Sequence, residues 1–103
     1  MFKVTFVKYI FDSDHDDAKA RFAVLSREEV LPFVPQVGID IMWPLEKTQE
    51  IVECAWRTEH EDFRCRVEDF YVVNFSLDAP DFDEYLDDSP ERGWAVSSIY
   101  PAQ

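Results

Sequence analysis

Apolar residues occupy both parities of the stretch from Phe2 to Phe11. Phe2, Val4, Phe6 and Ile10 share one face of an extended chain; Val7, Tyr9 and Phe11 share the other with Lys3 and Thr5. A strand apolar on both sides belongs at the centre of a fold or under a second subunit, so this segment also carries the expectation of a homo-oligomer. Downstream, Ala18, Ala20, Phe22 and Val24 alternate with Lys19 and Arg21, which favours a second strand hairpinned to the first. Ala18, Phe22 and Leu25 also satisfy helical spacing behind an acidic turn, so a helix over residues 18–25 stays open. Ser26-Arg27-Glu28-Glu29 matches a capping box and predicts a single helical turn ahead of Pro32.

The longest succession of strand signals runs from residue 31 to residue 71. Leu31-Pro32-Phe33-Val34-Pro35-Gln36-Val37-Gly38 is a proline-braced entry, and Gly38 is placed to supply a backbone angle that a Cβ disfavours. Ile39, Ile41 and Trp43 then alternate with Asp40 and Met42 until Pro44 ends the run. Val52, Cys54 and Trp56 alternate with Glu53 and Arg57; after a charged turn, Phe63, Cys65 and Val67 alternate with Arg64, Arg66 and Glu68. These runs predict the centre of a small antiparallel sheet, with Glu53 opposed to Arg64 or Arg66 on the outer face of a hairpin. A turn centred on Glu59-His60 sets Cys54 opposite Cys65, whereas one centred on His60-Glu61 sets Trp56 there; both registers keep the apolar faces matched.

Phe70-Tyr71-Val72-Val73-Asn74-Phe75 continues as a strand past a bulge at Glu68-Asp69. Pro80 and the acids after it suit a helix start, with Phe82, Tyr85 and Leu86 on one face. Pro90 ends that helix, and Gly93 turns the chain into a last strand that begins at Trp94. The whole reads as one α+β domain over residues 1–103, a mostly antiparallel β-sheet or small open barrel with one short C-terminal helix.

Pro35-Gln36-Val37-Gly38, the alternating strand after it, and Ile51-Val52-Glu53-Cys54-Ala55-Trp56 with its charged hairpin form a recognisable combination. It resembles small β-rich proteins of unassigned function encoded by mobile integron gene cassettes and phages. The resemblance spans residues 32–71 and implies a compact sheet with one short helix, often self-associating. It transfers no active-site residues.

Charge changes the list of partners. Twenty-two acids against ten Lys and Arg leave a formal −12, a field that repels nucleic acid and anionic membrane and favours a basic protein partner. No apolar run approaches the ~20 residues that span a bilayer. The strand pattern starts at the first residues with no leader-like segment before it, so the expected location is cytoplasmic. There the two cysteines, Cys54 and Cys65, are expected as buried thiols rather than a disulfide.

Candidate chemistry is sparse. Asp12, Asp14 and Asp16 have the spacing of a calcium loop, but Asp17 stands where the turn glycine belongs and Ala23 where the bidentate glutamate belongs. His15 and His60 fall in charged turns, neither of them beside a nucleophile. Cys54, His60 and Cys65 lack the close paired spacing of a zinc site, so neither a metal nor a cofactor is expected. With two glycines no phosphate cradle can form, and no catalytic residue is nominated.

Trp43, Trp56 and Trp94 serve a core by default and a cleft or interface otherwise. The first expectation is therefore a non-enzymatic accessory protein. It self-associates and binds a protein partner or small ligand through a sheet-lined aromatic cleft carried by Trp43, Trp56, Tyr9 and Phe11. The second is an acidic inhibitor that imitates nucleic acid, carried by Asp81, Asp83, Glu84, Asp87 and Asp88 with the turn at residues 12–17. A small hydrolase or isomerase in the same barrel ranks third.

Overall fold

The computed structural model describes residues 1–13, 19–72 and 81–103. Its elements are β1 (Phe2–Phe11), β2 (Phe22–Leu31), β3 (Asp40–Ile41), β4 (Gln49–Arg57), β5 (Asp62–Val67), β6 (Phe70–Tyr71), α1 (Phe82–Asp88), a 3-10 helix (Ser89–Arg92) and β7 (Ala95–Tyr100). They form an open sheet in the order β3-β4-β5-β1-β2-β7, with β6 extending the edge of β1 beyond β5. Over the described residues the fold is α+β and mostly antiparallel, with one short α-helix. Among the described residues, no helix is long and apolar enough to cross a membrane.

The strand with two apolar faces is the centre. β1 pairs antiparallel with β2 along its whole length, from Phe2↔Leu31 to Phe11↔Phe22. On its other edge it runs parallel to β5 and then to β6, with Glu68 and Asp69 between them as the expected irregularity. The segment from residue 31 to 71 is therefore not the middle of an antiparallel sheet. It forms one flank, joined to β1 by parallel pairing, and β3 is a two-residue edge strand. Pro44 and the positive φ of Leu45 keep that edge short.

β2 departs from the sequence reading in two ways. Its core parity is Ala23 and Leu25, both fully buried, while Phe22 and Val24 lie half-buried on the opposite face. It also runs straight through Ser26-Arg27-Glu28-Glu29, where a capping box suggested a helical turn. The ten-residue ladder with β1 continues through this stretch and supplies cross-strand backbone hydrogen bonds that outweigh a single isolated helical turn.

The β4–β5 hairpin takes the register that sets Cys54 opposite Cys65, with Glu61 at φ +52 in its turn. Glu53 pairs with Arg66 across the strands at 3.0 Å. Both cysteines are free thiols, with their sulfurs 3.2 Å apart. Burial, reinforced by the Cys54 contact, pushes the Cys65 thiol up to about 12. Gly38 has φ +94, as its position in the proline-braced turn requires, and its N–H donates to the carbonyl of Ile51 at 2.9 Å.

Asp81 caps α1 by accepting the Glu84 backbone N–H at 2.9 Å. Phe82 and Leu86 are buried among Val4, Phe6, Ile10, Leu25 and Ile51, so α1 covers one face of the sheet. Pro90 sits in the 3-10 helix, and Gly93 at φ +88 turns the chain into β7. Above that core face, Trp43 packs edge-on against both Phe6 at 5.0 Å and Trp94 at 5.1 Å. The acidic stretch Asp14-His15-Asp16-Asp17 with Ala18, the Val73-Asn74-Phe75 extension and Pro80 lie outside the described residues.

Candidate functional site: a cleft around Lys8

The alternation that buries Val4, Phe6 and Ile10 buries Lys8 as well, because all four share the core parity of β1. Lys8 is 3% exposed. Its ammonium stands 5.3 Å from the Phe70 ring centroid, 5.8 Å from that of Tyr85 and 5.6 Å from that of Trp94. It donates to the Tyr85 hydroxyl at 3.2 Å and lies 3.8 Å from Glu46 Oε1. Tyr85 is itself stacked on Phe70 at 4.7 Å.

Glu46 arrives from a tight turn. The Glu46 N–H bonds the Trp43 carbonyl at 3.3 Å, with Pro44 and Leu45 between them. Leu45, at φ +66, occupies the place where glycine is preferred. A branched side chain held there costs about 1 kcal/mol, which the surroundings must offset. The turn delivers Glu46 Oε2 to the Trp94 indole N–H at 3.0 Å and to Gln49 Nε2 at 3.2 Å. Arg92, at the end of the 3-10 helix, lies 4.4 Å over the Tyr85 ring and donates to the Tyr85 carbonyl and the Ser89 hydroxyl at 3.1 and 3.2 Å.

These side chains border a cavity of about 290 Å³, flanked also by Leu45, Lys47, Glu68 and Asp69. Among the described residues, Gln49 Oε1, Glu46 Oε1 and Arg92 Nε are buried polar atoms on its wall that make no hydrogen bond. Arg92 Nε and Glu46 Oε1 face each other at 3.6 Å, an ion pair too long to be a hydrogen bond. Because the Gln49 amide nitrogen is committed to a carboxylate, its oxygen is the end left free. The cleft thus offers an acceptor, a donor and an amine beside two stacked rings, the composition of a small-molecule site.

Electrostatics fit that description. Burial lowers the pKa of Lys8 from its ordinary 10.5; Glu46 and Glu68 oppose the shift and Arg92 adds to it. Burial likewise raises the Tyr85 phenol, so it stays protonated at neutral pH. The cleft holds an amine whose charged form is penalised by burial, next to a phenol able to donate.

The residues nominated from sequence do not form one site. Trp43 is 5% exposed; its indole donates to Glu29 at 2.9 Å under the Arg27 guanidinium. Trp56, 55% exposed, packs on Phe63 at the far end of β4. Tyr9 and Phe11 lie on the sheet face opposite α1. Phe11 joins a row of rings there, stacked on Tyr71 at 5.4 Å and beside Phe22 at 5.6 Å, with Phe22 stacked on Tyr100 at 4.7 Å. Of the acids, Asp81 caps α1 and Asp83 pairs with Arg21 at 3.4 Å, while Glu84, Asp87 and Asp88 are exposed.

Lys8 was open to discovery from sequence, as the one charged residue on the core parity of the first strand. Glu46, Gln49 and Arg92 carried no periodic signal, since a turn, a strand end and a 3-10 helix bring them together. Among the described residues, no group of three or more His, Cys, Asp or Glu is arranged to hold a metal ion. In comparisons with known proteins, no family model, curated protein or solved structure matches this chain.

Proposed function

We propose that this protein is a non-enzymatic binding module whose ligand is a small molecule held in the cleft around Lys8. The observation that carries the reading is a buried amine opening onto a 290 Å³ cavity beside Gln49 Oε1 and Arg92 Nε, neither of which makes a hydrogen bond among the described residues. Such a wall suits a ligand with a hydrogen-bond donor and acceptor side by side and a flat apolar part to lie along Phe70 and Tyr85. This retains the sequence expectation of a sheet-lined aromatic cleft and moves it to the core face of β1.

The test is a fragment screen by ligand-observed NMR on the wild type and on Lys8→Met. Methionine fills a similar volume without the amine, so fragment binding is expected to vanish. Stability at neutral pH is expected to rise by roughly 1 kcal/mol, because a desolvated cation leaves the interior. With a folded pKa below the unfolded value, the lysine's cost is full at low pH and fades as pH rises toward 10.5; the variant lacks that gain. Equal binding by both proteins would sink the reading.

Self-association is a second reading, favoured by the contiguous ring row of Tyr71, Phe11, Phe22 and Tyr100 on the opposite face. Arg66 lies over Tyr9 at the side of this row, which lowers the repulsion between two copies of an acidic chain. Light scattering is expected to show a dimer for the wild type and a monomer for Phe22→Lys. A monomeric wild type would contradict it.

A further inference from the structure

The geometry points to Lys8 as a covalent capture point for carbonyl compounds, its amine forming an imine with an aldehyde or ketone seated in the cleft. This rests on the reading of the cleft as a ligand site and adds the ligand's chemical class. The amine is held at one place by β1, the most completely paired strand of the sheet, and among the described residues has one hydrogen bond, to a neutral phenol. The nearest carboxylate among the described residues, that of Glu46, is 3.8 Å away, too far for a hydrogen bond. Burial lowers the lysine pKa, so at a given pH a larger share of this amine is neutral nucleophile than for an exposed lysine.

The remaining parts of the chemistry stand around it. Glu46 can take the proton that the ammonium gives up. The nitrogen lone pair then forms the C–N bond while the carbonyl π pair moves to oxygen, giving a zwitterionic adduct. The Tyr85 hydroxyl, 3.2 Å from the nitrogen, gives its proton to that oxygen and recovers one from the nitrogen, leaving a neutral carbinolamine. Protonated Glu46 returns its proton to the hydroxyl as the C–O bond breaks, so that one water leaves and the protonated imine remains. No oxidant or reductant enters the balance. A cavity of 290 Å³ limits the partner to roughly ten non-hydrogen atoms beyond the reacting carbon. Gln49 Oε1 and Arg92 Nε provide one acceptor and one donor for its polar substituent.

The chain has four lysines, so the site of reaction can be assigned by peptide mapping. Wild-type protein is incubated with pyruvate or with benzaldehyde, reduced with borohydride, and analysed by intact mass and peptide mapping. The expected result is a single adduct on Lys8, exceeding that on Lys3, Lys19, Lys47 or the N-terminal amine by about tenfold. It should be absent in Lys8→Arg, and benzaldehyde should give more of it than pyruvate because of Phe70 and Tyr85. Labelling spread across the exposed amines would overturn the inference. Fragments that bind in the cleft while Lys8 stays unlabelled would overturn the covalent step and leave the ligand site standing. Neither binding nor labelling would remove both.

Discussion

Replacing Trp94 by alanine is expected to destabilise the fold by about 3–5 kcal/mol and to abolish ligand binding in the cleft. Trp94 is 1% exposed and is one of the largest fully buried side chains. It contacts Trp43 edge-on, and the Lys8 ammonium and Arg27 guanidinium lie 5.6 and 5.3 Å from its ring. Its indole N–H fixes Glu46 Oε2 at 3.0 Å, so the same side chain anchors the core and orients the cleft. Alanine leaves a cavity and a carboxylate short of a donor. Phenylalanine separates the two contributions, keeping most of the packing while losing the hydrogen bond, for a cost of about 1–2 kcal/mol. Urea unfolding measures both. A loss below about 1 kcal/mol for the alanine variant would mean that the ring is not part of the core.

The second large effect lies on the other face of the sheet. Asp62 is 1% exposed and accepts from Arg57 Nε at 2.8 Å, from Arg57 Nη2 at 2.7 Å and from the Thr5 hydroxyl at 2.7 Å. Arg57 also donates to Thr5 Oγ1 at 3.1 Å, closing a ring of bonds that ties β1, β4 and β5 together. Asp62→Ala is expected to cost about 3 kcal/mol, since it strands a buried hydroxyl and a half-buried guanidinium. The Arg57 hydrogen bonds, helped by Thr5 against the opposing effect of burial, hold the Asp62 carboxyl down at about 2. A folded pKa below the unfolded value means that the stabilisation is complete above about pH 4 and is lost as pH falls through about 2. That difference is worth about 2 kcal/mol. Asp62→Asn should lose it at neutral pH and unfold with a shallower acid dependence in that window, which acid titration by circular dichroism reads directly.

Much of the architecture was legible because burial imposes period two. The doubly apolar β1 announced a central strand, the Val52–Trp56 and Phe63–Val67 alternations announced a hairpin, and Phe82, Tyr85 and Leu86 announced the helix face. Alternation is silent about direction, so the parallel pairing of β1 with β5 was not visible and the centre of the sheet was placed too far along the chain. At Phe22-Ala23-Val24-Leu25 both parities are apolar, and only the register with β1 decides that alanine and leucine face the core. The capping-box motif at Ser26 was a true local signal overridden by the length of the ladder. For the cleft, sequence offered one clue, a lysine on the wrong parity, and its other members converge from segments with no period to read.

The most direct test is a crystal structure of the protein soaked with the tightest fragment from the screen. The expected result is a ligand in the cavity bordered by Lys8, Glu46, Gln49, Phe70, Tyr85 and Arg92, with Gln49 Oε1 accepting from it and the Lys8 amine within bonding distance. A cavity closed by Lys8 moving into contact with Glu46, with the fragment bound elsewhere, would contradict it. Lys8 would then be a structural cation and the cleft a gap beside it.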